Sequence, residues 1–269
     1  MLTSTKKILA KAHRGGYAVG AFNVNDLEML QAVIAGAEKE KAPVIVQTSE
    51  GAIAYAGMNF LVAMVKVAAK TKIPVALHLD HGKNLDLIKE AARSGYSSVM
   101  FDGSTFAFET NIKKTKDVTG YCHRRGVSVE AELGAIAGTE DRISVKEREA
   151  HFTDPEQAKE FVKKTRCDFL AISVGTAHGA YKFREPYSEE AELDIERIKA
   201  IKTLVKIPLV LHGASSVDPN AILDINCFGG KIKNAYGIPE TEILKAIRAG
   251  VNKVNTDSDL RLAFTKAVR

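Results

Sequence analysis

Short aliphatic runs alternate with longer amphipathic stretches from one end of the chain to the other. The runs at Ala18–Val24, Pro43–Ser49, Pro74–Asp80, Ser98–Asp102, Val127–Leu133, Phe169–Val174, Pro208–His212 and Lys253–Asn255 have strand length. Most are rich in β-branched and aliphatic residues, and several pass into glycine and small polar residues, as a strand entering a loop does. Between them, Leu27–Glu40 repeats its apolar residues with helical spacing: Leu27, Met29, Leu30, Val33 and Ile34 fall on one side. Asn59–Ala69, Leu85–Ala92, Pro155–Lys164 and Pro239–Ala249 read in the same way. Strand–helix alternation predicts a parallel sheet with helices packed outside it. Eight such units in a chain of this length predict an α/β fold, a (β/α)8 TIM barrel. A doubly wound open sheet is the competing arrangement. No linker or low-complexity tract interrupts the pattern, so residues 1–269 are expected to form a single domain.

Three of these runs bring a histidine to their ends: His81 in PVALHLDHG, His178 in LAISVGTAHGAYK and His212 in PLVLHGASS. In a barrel the C-terminal strand ends carry the active site. Three imidazoles converging there with an open fourth position make a catalytic zinc arrangement. Alone, this trio is also compatible with a zinc hydrolase. Asp80 lies beside His81, where a carboxylate can serve as a base or orient an imidazole. Glu130 and Glu132 share one face of their strand, and inward carboxylates are costly unless paired or metal-bound. The segment GAIAGTEDR reads as a mobile loop carrying Glu140 and Asp141. The glycine-rich segments after the sixth and seventh strands offer Gly175, Gly179, Gly213 and Ser215 as phosphate donors, with Lys182 as countercharge.

Composition narrows the partners. With 38 basic and 33 acidic residues the net charge is +5, and no basic run is interleaved with aromatics, so nucleic acid is not expected. No apolar stretch has membrane-spanning length and no signal peptide is evident, so neither membrane association nor export is expected. The three scattered cysteines form no disulfide framework, which points to a reducing cytoplasm.

Together HLDHG, VEAELGAIAGTED, GTAHGAYK, LHGASS and KVNTDSDLRLAF resemble the class II, zinc-dependent fructose-1,6-bisphosphate aldolases, in order along the chain. The resemblance implies a lyase of glycolysis and gluconeogenesis that cleaves a phosphorylated ketose to triose phosphates. It implies zinc ligation by His81, His178 and His212, with Glu132 supporting the metal. Asp80 would act on the C4 hydroxyl and Glu140 at C3. Gly179, Lys182, Gly213, Ser215, Asp257 and Ser258 match positions that bind the C1 phosphate and nearby groups. Asn255 lies near the carbonyl, Ser49 and Arg261 approach the other phosphate, and Asn23 belongs to the site floor. A monovalent cation (K+ or Na+) and a homodimer or homotetramer are also implied. The family continues past LAFTKAVR, so the chain is expected to stop early in the final helix. The nearest alternative substrate is the C4 epimer, tagatose 1,6-bisphosphate, and Asp257 favours fructose. A Schiff-base aldolase would need a lysine inside the barrel. Lys253 is expected to begin its strand and so not to fill that role. A non-enzymatic zinc or sugar-phosphate sensor would lack the full acid–base set.

Overall fold

The structure, a computed structural model, describes residues 2–140, 143–145, 151–179 and 192–269. In chain order the elements begin with α1 (Thr5–Gly15), β1 (Val19–Asn23), α2 (Leu27–Lys39), β2 (Val44–Thr48), α3 (Glu50–Ala56) and α4 (Met58–Ala68). They continue with β3 (Val75–Gly82), α5 (Leu85–Ser94), β4 (Ser98–Phe101), α6 (Phe108–His123), β5 (Ser128–Leu133), β6 (Ala137–Glu140) and β7 (Ile143–Val145). Then follow α7 (Pro155–Thr165), β8 (Phe169–Ile172), β9 (Ala177–His178), α8 (Ile195–Leu204) and β10 (Leu209–Leu211). The last are α9 (Pro219–Cys227), α10 (Glu240–Ala249), β11 (Val251–Thr256) and α11 (Ser258–Val268).

Eight strands close into a barrel in the order β1-β2-β3-β4-β5-β8-β10-β11 and back to β1, every pairing parallel. The expected (β/α)8 barrel is therefore the fold. Helix starts follow from local chemistry. Asp26 accepts from Met29 N, Asn84 from Asp86 N, and Asp154 from Gln157 N ahead of Pro155. Each satisfies a donor that a helix start leaves without an intrahelical partner. None of the described helices is long and apolar enough to cross a membrane.

Successive side chains on a strand face opposite ways. One face of the strands is aliphatic: Val44, Val46, Val75, Leu77, Leu79, Val99, Phe101 and Val129 pack under α2, α4 and α5. On the far side of the barrel Leu170, Ile172, Leu209 and Leu211 do the same with Phe161, Ile198 and Ile201 of α7 and α8. The other face fills the barrel. At its lower end Ala21, Ile45, Ala76, Met100, Phe169, Ala171 and Val210 pack with Ile8, Leu9 and Ala12 of α1. Toward the C-terminal ends the interior becomes polar, and there the candidate residues gather.

Three features differ from the sequence expectation. The GAIAGTEDR segment, expected as a loop, contains β6, which pairs antiparallel with β7 and parallel with β9 in a separate three-stranded sheet. His178 does not end the sixth barrel strand: β8 stops at Ile172, Gly175 turns the chain at φ +108, and His178 lies in β9. Lys253, expected to begin a strand, is the third residue of β11, and its side chain is fully buried.

Candidate active site

The site forms where β1, β3, β4, β5, β10 and β11 end. His81 is inside β3, at φ +46, where the register with β4 shifts between Leu79 and Gly82. Simple alternation would turn His81 away from Asp80. At the bulge both reach the same cluster: Asp80, His81 and His212 each present a potential ligand atom, and these atoms lie within 4.8 Å of one another. The His81 and His212 rings meet edge-on, with centroids 4.4 Å apart. All three residues are buried.

Asp80 is held from two sides. Asn23 Nδ2 donates to its Oδ2 at 2.8 Å, and Asn255 Nδ2 donates to its Oδ1 at 3.1 Å. Asn23 is itself set by Gln47, whose Nε2 donates to Asn23 Oδ1 at 2.8 Å. Asn255 Nδ2 also lies 3.0 Å from His212 Nδ1. The carboxylate plane is thus fixed by neighbours from β1 and β11, so an incoming hydroxyl would meet an acceptor already in place.

A second group shares His81. Its Nδ1 lies 3.2 Å from Asp102 Oδ2 and 3.8 Å from Glu132 Oε2. Asp102 also accepts from Ser104 Oγ at 2.7 Å, and Lys83 Nζ lies 3.6 Å from its Oδ2. Burial alone would lower the His81 pKa, but the charge of Asp80 and the hydrogen bond and charge of Asp102, with Glu132, push it up to about 10. Burial would likewise raise Asp102, yet His81 and Lys83 hold it well below the usual carboxylate range. Burial and the nearby Asp102 charge raise Glu132 well above its ordinary value. The cluster strongly favours positive charge at its centre.

These residues fit a divalent metal. Imidazole and carboxylate donors are the zinc set. The buried Glu132 Oε2 has no hydrogen-bond partner among the described residues, as a ligand oxygen awaiting a cation would not. Asp102 on His81 supplies the outer carboxylate that orients a ligating imidazole.

The remaining expected residues divide. Gly213, at φ +61, lets the turn after β10 lie against β9; a Cβ there would meet Ala177 O at 2.5 Å. Ser215 Oγ accepts from Asp257 N at 3.3 Å. Gly179 follows β9 at φ +83. Ser258 opens α11. Arg261 Nε bonds both carboxylate oxygens of Asp257 at 2.9 and 2.8 Å. Two groups expected at separate phosphates therefore form one ion pair. Ser49, at the end of β2, caps α3 by accepting from Ala52 N at 3.1 Å. The side chains of His178 and Glu140, and all of Lys182, lie outside the described residues.

Three contributors were not picked out from sequence. Asp102 was read only as a strand end, Gln47 gave no signal, and Lys253 was misplaced within its strand. Lys253 Nζ donates to Glu130 Oε2 at 2.8 Å, and Glu130 Oε1 lies 2.8 Å from His212 Nε2. His78, next to this pair, has its pKa lowered well below the ordinary value by burial and by Lys253.

The profile of the family described as fructose-bisphosphate aldolase class-II matches residues 3–269. The fructose-bisphosphate aldolase of Helicobacter pylori is 46% identical over 271 residues, covering 100% of this chain and 87% of that protein. That of Thermus caldophilus is 46% identical over 270 residues, with 100% and 87% covered. Among solved structures, the Escherichia coli YdjI aldolase superposes with a TM-score of 0.79 at 33% identity, covering 100% of this chain and 86% of that one. The fructose-bisphosphate aldolase of Campylobacter jejuni superposes with a TM-score of 0.73 at 26% identity, covering 100% and 80%.

Proposed function

Because the chain belongs to the class II fructose-bisphosphate aldolase family, we propose that it catalyses reversible cleavage of fructose 1,6-bisphosphate to dihydroxyacetone phosphate and glyceraldehyde 3-phosphate. The observation that carries the reading is the meeting of Asp80, His81 and His212 at the barrel mouth, with both Asp80 oxygens held by amides.

His81 and His212 would hold zinc together with His178, and Glu132 would be an alternative ligand. When bound, the zinc supplies Lewis-acid polarisation of the substrate ketone. Asp80 accepts the C4 hydroxyl proton as the C3–C4 bond breaks, and glyceraldehyde 3-phosphate departs. Glu140 returns a proton to C3 to give dihydroxyacetone phosphate. The reverse direction is aldol condensation. Gly179, Lys182, Gly213, Ser215 and Ser258 would seat one phosphate through their N–H and side-chain donors. Ser49 would approach the other. Arg261, held by Asp257, would reach it after shifting from that pair. The family likeness also supports a monovalent cation near the phosphate turns, a homodimer or homotetramer, and a cytoplasmic enzyme. It likewise supports reading residues 1–269 as one catalytic domain.

The fructose epimer is preferred over tagatose because Asp257 is present. A Schiff-base mechanism is disfavoured: Lys253 does lie inside the barrel, but its ammonium is engaged by Glu130. The test is an assay on both bisphosphate epimers, with and without a strong chelator. Cleavage of the fructose epimer that chelation abolishes and zinc restores is expected, and borohydride with substrate should trap no adduct. Full activity after metal removal would contradict the reading.

A further inference from the structure

Directly beneath the site sits an ion pair that the reaction does not use. Glu130 on β5 and Lys253 on β11 are both fully buried inside the barrel and bonded at 2.8 Å. The second Glu130 oxygen lies 2.8 Å from His212 Nε2. A carboxylate can only accept, so His212 carries its proton on Nε2 and donates it to Glu130. That leaves Nδ1 as the lone-pair nitrogen of the ring. We propose that Glu130 and Lys253 form a positioning pair that fixes the tautomer and ring orientation of His212 for metal binding, which rests on the functional reading above.

The alternative is that the pair only fills the barrel. Its surroundings argue otherwise. Its register neighbours are apolar, with Met100 and Phe169 flanking Glu130 and Val210 beside Lys253, and a buried ion pair is seldom a better filler than hydrophobic side chains of similar volume. The pair is also directional. Lys253 takes one Glu130 oxygen and leaves the other aimed at His212. Lys253 therefore supplies the countercharge that lets an ionised acceptor exist at this depth. Glu130 then stands to His212 as Asp102 stands to His81, so each of these two imidazoles has its own buried carboxylate.

The experiment measures zinc affinity of the full chain by competition with a chromogenic chelator, in wild type, Glu130→Gln, Lys253→Met and the double variant. Thermal unfolding is followed in parallel, with the absorption spectrum of the cobalt-substituted protein. Loss of an outer-shell partner typically weakens metal binding about 10–100-fold. Glu130→Gln is expected to fall in that range with a shifted cobalt spectrum. Lys253→Met leaves an unpaired buried carboxylate and should also unfold at lower temperature. The double variant removes both charges and should regain the thermal stability but not the affinity. A structural filler would regain both. Wild-type zinc affinity in Glu130→Gln or in the double variant overturns the inference alone. A wild-type chain that binds no zinc overturns the functional reading and the inference with it.

Discussion

The lower and upper halves of the barrel interior are built by the same strands and obey opposite rules. Below, Ala76, Met100, Phe169, Ala171 and Val210 meet α1 and exclude water by packing. Above, on the same inward faces, stand Asp80, Asp102, Glu132, His212 and Asn255, each engaged by a neighbour from another strand. Met100 and Asp102 are two residues apart on the run from β4, as are Val210 and His212 on that from β10. A change of two positions moves from close packing to a charged cluster. The lower half makes a rigid base, and the upper half can then concentrate carboxylates that no isolated loop would hold in place.

That contrast breaks first at Asp80. Asp80→Ala removes the proposed base and should lower turnover about 10²–10⁴-fold, while zinc content and unfolding temperature stay near wild type. Steady-state kinetics with metal analysis checks this. Zinc lost in step with activity would make Asp80 a structural partner of the metal.

A cavity in the lower half should act in the opposite way. Phe169→Ala is expected to cost about 3–5 kcal/mol of stability, read by denaturant unfolding. Turnover per folded molecule should remain within a few-fold of wild type. A large fall in turnover at unchanged stability would mean the two halves are coupled in function.

The smallest effect separates the charged mouth from buried acids that have no countercharge among the described residues. Burial raises Tyr96 from 10.0 to about 12, against the opposing Thr48 hydrogen bond, and raises Cys167 from 9.0 to about 12. The unfolded chain therefore loses these protons at lower pH than the folded one. Their contribution is complete below about pH 9 and is lost as pH rises toward 12. Denaturant unfolding at stepped pH should show stability falling across that window, and Tyr96→Phe should flatten the fall above pH 10. An unchanged slope in that variant would contradict the assignment.

The aliphatic face of each strand was legible because it must be continuous to pack under the helices, as in Val75, Leu77 and Leu79. The five helices read from sequence, α2, α4, α5, α7 and α10, were legible for the same reason. β11 was only partly legible: Val251-Asn252-Lys253-Val254-Asn255-Thr256 has polar residues at its interior positions, so no apolar run marked its start. The approach of Asp80 and His81 to one point depends on a positive φ at a bulge, and no periodicity encodes that. Asp102 and Gln47 carry no motif; only the closure of the barrel brings them to His81 and Asn23. The β6–β7–β9 sheet escaped notice because its strands are short and rich in glycine, alanine and threonine or serine.

The central claim is that His81 and His212, beside Asp80 at the barrel mouth, hold the metal of an aldolase. Zinc content per chain, measured together with fructose 1,6-bisphosphate cleavage in wild type, His81→Ala and His212→Ala, tests it most directly. The account predicts one bound zinc and chelator-sensitive cleavage in wild type, with both lost in each variant. Retained zinc and wild-type cleavage in His212→Ala would contradict it.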